Sequence, residues 1–190
     1  MDKQNARIEE LLAKMEKQSA RIEELLAKEE IKETLYRLAR GTDRQDAALI
    51  KSCYHPDAVD DHGLYKQKGH DFAELVARST LGHCQHFVGQ ISIQLKGNVA
   101  FVETYNEYHH IMEATDTTEL RDDFIGSRWL DRFEKRGDGP WLIANRVVCW
   151  DWRFFLPASA QRRQPDTCVW GARGELDGSY HIEKLTSKKG

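Results

Sequence analysis

Four runs of alternating apolar and polar residues between positions 83 and 155 constrain this chain more than any other feature. They are "HCQHFVGQISIQL" (83–95), "NVAFVETYNEYHHIM" (98–112), "FIGSRWLDRFEK" (124–135) and "WLIANRVVCWDWRFF" (141–155). Period-two alternation puts successive side chains on opposite faces of a strand. Turn signals at Lys96-Gly97 and at Gly137-Asp138-Gly139 predict an antiparallel meander, with "RGD" a hairpin tip. Upstream, "AVDDHGLYKQKG" reads as a short hairpin bounded by Gly63 and Gly69, and "HDFAELVARST" as a helix. Helices first and then a long curved sheet give the α+β class.

The first 28 residues hold a repeat: "KQNARIEELLAK" at 3–14 returns as "KQSARIEELLAK" at 17–28, two heptads later. Ile8, Leu11, Met15, Gln18, Ile22 and Leu25 form an a/d seam, with Ile at a and Leu at d. Four heptads are marginal as an isolated helix, so this arm runs into the next helix or associates with another chain. That next helix, "EEIKETLYRLAR", spaces Ile31, Leu35 and Leu38 at helical intervals, and Gly41 reads as its C-terminal stop. Asp43 then lies just past a helix end, where the partial negative charge disfavours a carboxylate. Either Asp43 or Asp46 can cap the following helix, "DAALIKSCY". The sequence divides into a heptad arm (1–28), one α+β domain (29–156) and a tail of little periodicity (157–190).

A chain of 190 residues with net charge -3 has room for one sizeable core and no basic face for nucleic acid. No apolar run is long enough for a bilayer, and the polar start is no signal peptide. Cys53, Cys84, Cys149 and Cys168 are far apart, which suits free thiols in the cytoplasm. The eight histidines show no metal-ligand spacing, so no metal site is expected. No G-x-S-x-G, P-loop or dinucleotide fingerprint occurs.

Alternation sorts the candidate residues into rows. Arg146, Val148, Trp150 and Trp152 share a face; an arginine in line with two tryptophans suits an aromatic cavity with one fixed cation. Cys84 aligns with His86, Asp60 with His62, and Ser127 with Trp129. Tyr105, Glu107 and His109 alternate with Asn106, Tyr108 and His110, and the first of these two rows is assigned to the cavity.

In order and spacing, "GTDRQD", "HPDAVDDHGLYKQKG", "HCQHFVGQISIQL", "GSRWLDRFEKRGDGPW" and "NRVVCWDW" resemble the SnoaL-like branch of the nuclear transport factor 2-like superfamily over roughly residues 29–156. The resemblance is greatest to its hexachlorocyclohexane dehydrochlorinase, bile-acid 7α-dehydratase and scytalone dehydratase members. It implies a cone-shaped mixed or antiparallel sheet on N-terminal helices (an α+β barrel), no cofactor, a homotrimer, and an Asp–His dyad on Asp43 and His86. A pocket arginine falls on Arg146 and a pocket cysteine on Cys84. The chain departs from those relatives at Leu38, where they carry Lys or Tyr, and at Asp60, where the dehydrochlorinase has Trp. A different substrate and leaving group follow.

The expected function is a cofactor-independent lyase on a small hydroxylated aromatic or alicyclic molecule, releasing water or a one-carbon fragment such as formaldehyde. His86 is the general base oriented by Asp43, and Arg146 the anion or leaving-group stabiliser. Asp60, His62, Cys84, Tyr105, Glu107, His109, Ser127, Trp129, Val148 and Trp150 are the expected substrate contacts. An isomerase or cyclase would need the same groups. The superfamily also holds non-catalytic binding modules and oxygenase small subunits.

Overall fold

The computed structural model describes residues 3–79, 83–112, 114, 120–157, 169 and 171–187. Helix α1 (Lys3–Arg44) is unbroken for 42 residues, about 63 Å at the standard helical rise. Its first part stands clear of the fold, with Ile8, Leu11, Met15, Ile22 and Leu25 about half exposed or more. Burial begins at Ala27, and Ile31, Leu35 and Leu38 are fully inside.

Gly41 does not stop this helix. A Cβ there would lie 2.9 Å from Ile50 Cγ1, so glycine is required for α1 to pass close to α2 (Ala47–Lys51). The helix ends one turn later, where Gln45 takes the left-handed conformation (φ 54°). The Asp46 N–H reaches the Gly41 carbonyl at 2.9 Å and the Gln45 N–H the Thr42 carbonyl at 3.3 Å, the paired closing bonds of a Schellman end. The Gln45 side chain is tied down in turn, donating to the Val76 and Ser79 carbonyls. Asp46 caps α2 by accepting from the Leu49 N–H at 2.9 Å. Asp43 therefore sits inside the last turn of α1 and caps nothing.

Six strands follow: β1 (Tyr54–Asp61), β2 (Lys66–Lys68), β3 (Cys84–Lys96), β4 (Val99–Met112), β5 (Arg121–Lys135) and β6 (Trp141–Pro157), with α3 (Gly69–Ala77) between β2 and β3. They form one sheet in the order β2-β1-β6-β5-β4-β3. The meander β3 to β6 is antiparallel, and β1 joins β6 in parallel, so the sheet is mixed. Its edges β2 and β3 do not pair, and the expected barrel stays open. Leu35 and Leu38 of α1, Ile50 of α2, Phe72 and Ala73 of α3, and Phe133 and Ile143 of the sheet share one apolar core.

The C-terminal segment docks on the end of α1. It contains two single-turn 3-10 helices (Gly174–Leu176 and Gly178–His181) and α4 (Ile182–Thr186). Arg44 Nε lies 3.2 Å from Asp177 Oδ1, Arg40 donates to Ser179 Oγ at 3.0 Å, and the Arg40 guanidinium lies over the Tyr180 ring. Cys53, Cys84 and Cys149 are free thiols, and Cys168 lies outside the described residues. Among the described residues no helix is long and apolar enough to cross a membrane.

Candidate active site

Leu35, Ala39 and Asp43 recur every four residues, so Asp43 continues the buried stripe of α1 and meets the start of β3. Its Oδ1 accepts from His86 Nδ1 at 2.7 Å, and its Oδ2 from the His86 backbone N–H at 3.0 Å. Both carboxylate oxygens are thus committed to one residue. With the proton held on Nδ1, the lone pair of a neutral His86 ring is on Nε2. The ring stacks on Tyr108 at 4.7 Å between centroids and leans on Trp129 at 6.0 Å.

His86 lines a cavity of about 500 Å³. Leu64, Tyr65, Phe72 and Leu75 of the hairpin and α3 contribute to its wall, as do Trp129, Val148 and Trp150 of the sheet. A second histidine, His62, also lines it, with Nε2 2.6 Å from Asp60 Oδ1 and its ring stacked on Tyr65 and Phe72. Trp150 Nε1 donates to the His62 carbonyl at 2.9 Å, fixing the hairpin to β6. Burial works to raise the Asp60 pKa, but the His62 contact, Arg146 and the Tyr54 hydroxyl outweigh it and hold the carboxyl below its usual range.

Behind His62 runs a charged row set by strand register. Arg146 on β6 is level with Asp131 on β5 and Asp60 on β1. Its Nε and Nη2 donate to the two Asp131 oxygens at 2.7 and 2.6 Å, and its guanidinium lies 4.0 Å over Trp129. Burial pulls the Arg146 pKa down, but Asp131 above all raises it beyond the ordinary value, so the cation persists in the interior. Arg146 lines the cavity, and its charge is already answered by a carboxylate.

Cys84, Trp129, Val148 and Trp150 line the same space. Ser127 does not line it: it is buried, its oxygens 3.4 and 3.5 Å from Asn106 Nδ2, and it borders a separate groove with Tyr105 and Glu107. Tyr105, Glu107 and His109 do not belong to the site. Pairing of His86 with Tyr108 and of Cys84 with His110 puts the even-numbered row of β4 inward. Tyr108 and His110 line the cavity, whereas Tyr105 and Glu107 border a shallow groove on the other face and His109 lies 3.3 Å from Asp122. Trp152 also leaves the row of Arg146: a register shift opposite Gly126 and Ser127 turns it onto the outer face. There its ring lies so close that a Cβ on Gly126 would fall 2.1 Å from Trp152 Cε2.

Alternation alone leaves the choice between the two β4 rows open, so Tyr108 and His110 were missed. Arg173 was missed as well; it enters the cavity from the C-terminal segment, which carries no periodic signal. Burial pushes the Cys84 thiol and the Tyr108 hydroxyl up, so neither is an anionic nucleophile at neutral pH. Burial, with His86 and Arg173 nearby, pushes His110 down to about 3, a neutral ring. Donor atoms of Cys84, His86 and His110 lie within 4.8 Å of one another, close enough to share a cation. Suppression of the thiolate and the positive charge of Arg173 in the same cavity oppose such binding.

An open mixed sheet on a long helix, enclosing an aromatic cavity with an Asp–His pair, defines a small-molecule-binding α+β domain. The chain belongs to the SnoaL-like domain family, whose model matches residues 23–147, within the nuclear transport factor 2-like superfamily. Similar solved structures include a hexachlorocyclohexane dehydrochlorinase, LinA type 2, at 15% identity and TM-score 0.65, with 77% of this chain and 99% of that one covered. A candidate scytalone dehydratase from Novosphingobium aromaticivorans is similar at 16% identity and TM-score 0.58, covering 83% of this chain and 96% of that one. A nuclear transport factor 2-like protein from Salmonella enterica gives 18% identity and TM-score 0.58, covering 74% and 97%. These likenesses concern the fold. No curated protein matches the sequence.

Proposed function

We propose that the chain is a cofactor-independent lyase acting on a small hydroxylated aromatic or alicyclic molecule. The observation that carries this reading is the Asp43–His86 pair, closed by two hydrogen bonds within an aromatic cavity. His86 Nε2 takes a proton from carbon or from a hydroxyl, while Asp43 holds the tautomer and stabilises the imidazolium that forms. Water, or formaldehyde from a hydroxymethyl group, departs. His62, backed by Asp60, is a second proton carrier in the same cavity and serves the leaving oxygen. Arg146 stabilises developing negative charge, tempered by its pairing with Asp131. The dehydrochlorinase and the candidate dehydratase that share the fold support an elimination chemistry.

The protein is further proposed to act in the cytoplasm as a homotrimer assembled through the outer face of the sheet. Val147 on that face is 41% exposed and adjoins Cys149 and Asp151, where Arg128 bridges Asp151 and Glu103. The test of the activity is a mass-spectrometric screen of hydroxylated aromatics, lignin-derived diaryl compounds and steroids included. A substrate that loses 18 or 30 mass units (about one water or one formaldehyde) with wild type and is untouched by His86→Ala meets the expectation. An unchanged product mass assigns an isomerase or cyclase. Full turnover by a normally folded His86→Ala removes His86 as the base.

A further inference from the structure

We infer that Arg173 is the residue that recognises a carboxylate on the substrate, so that the natural ligand is a hydroxylated acid and not a neutral molecule. This rests on the lyase reading of the cavity and specifies its substrate class. Among the described residues, five cationic or potentially cationic groups besides Arg173 line the same space: His62 faces Asp60, His86 faces Asp43, and the other three are accounted for in turn. Arg146 is held bidentate by Asp131 and flanked by Asp60. His110 is a neutral ring, for burial pushes it down to about 3. Arg78 reaches the rim from an exposed position at the end of α3, where water screens its charge.

Arg173 differs from all of these. It is partly buried and lines the cavity, yet among the described residues its Nε has no hydrogen-bond partner and no carboxylate lies within ion-pairing distance of it. Asp43, which its charge feels, has already given both oxygens to His86. A guanidinium removed from water is costly until a counter-charge meets it. Arginine's planar fork suits a carboxylate bound through two oxygens. A single unanswered cation among apolar walls matches one negative charge, not the two of a phosphate monoester.

The backbone around Arg173 is built to hold it. Asp177 accepts from the Ala172 N–H at 2.8 Å and the Ser179 N–H at 3.0 Å, and pairs with Arg44 of α1 at 3.2 Å. Gly174 follows Arg173 directly at φ 60°, a conformation that favours glycine and turns the chain away immediately after the side chain enters. One carboxylate thus ties the segment on both sides of Arg173 to α1 at Arg44, the residue that follows Asp43.

The test is equilibrium binding of vanillate and methyl vanillate, read by quenching of Trp129 and Trp150, which line the cavity. In wild type the acid should bind about tenfold more tightly than its ester. Arg173→Gln should erase that preference by weakening the acid alone, leaving ester affinity and circular dichroism unchanged. Arg173→Lys, which keeps the charge without the planar fork, should fall between the two. The same acid-to-ester ratio in wild type and in a folded Arg173→Gln overturns the inference while leaving the lyase reading intact. Failure of both probes to bind wild type overturns the cavity as an aromatic site, and the inference with it.

Discussion

The cavity holds two Asp–His pairs, and they are built in opposite ways. In Asp43–His86 the partners are 43 positions apart, one from a helix end and one from a strand, joined by two hydrogen bonds, with the Cys84 thiol beside them, 3.5 Å from His86 Nδ1. In Asp60–His62 the partners are two positions apart, but the carboxylate is wired to Tyr54 and lies level with Arg146, which is paired in turn with Asp131. The first pair is a device attached to the core. The second is continuous with it, and the same chemical change should therefore break different things in each.

Asp43→Asn should produce the largest effect, a loss of about 10²–10⁴ in turnover, because His86 loses the acceptor that fixes its tautomer. Its unfolding free energy from urea titration should fall by no more than about 1 kcal/mol, since the amide keeps one acceptor oxygen for the His86 backbone N–H. Asp60→Asn should reverse that balance. It removes one of two carboxylates beside a fully buried guanidinium and should cost about 1–3 kcal/mol in the same titration. Equal stabilities for the two variants would show that the pairs are not distinct in kind.

A smaller and pH-dependent effect is expected from His110, the neutral ring whose centroid lies 5.9 Å from that of His86. Its folded pKa of about 3 lies far below the ordinary 6.5. Between these values the unfolded chain binds a proton that the folded protein refuses, so stability falls as pH drops from 6.5 towards 3. His110→Asn should flatten the melting temperature across that acid window. An equally steep decline in the variant would locate the acid sensitivity elsewhere. The smallest effect should come from deleting residues 1–28, which lie mostly outside the core. Turnover should be unchanged, and light scattering should still give a trimer; a fully active monomer would refute assembly through the sheet.

Much of the fold and part of the site are legible in the sequence because they depend on local periodicity. Ile31, Leu35 and Leu38 mark the buried helix face, and the four β-runs with their glycine turns mark the meander. The Asp43–His86 pair was implied by the family resemblance and not by periodicity; the structure brings the two side chains to 2.7 Å. Gly41 misled because glycine commonly ends a helix, whereas here it yields space to Ile50 and the left-handed position falls to Gln45.

By itself, then, the sequence determined which segments are helix and strand, the α+β class, and the chemical types gathered near Asp43 and His86. Only the tertiary structure decided which row of β4 faces inward, that Trp152 turns outward, that Arg146 is neutralised by Asp131, and that Arg173 reaches the cavity from the far end of the chain. The reason is physical. Periodicity fixes which side chains share a face, but a one-residue choice of register selects the face, and the pairing of charges depends on neighbours that the chain brings together only when it folds.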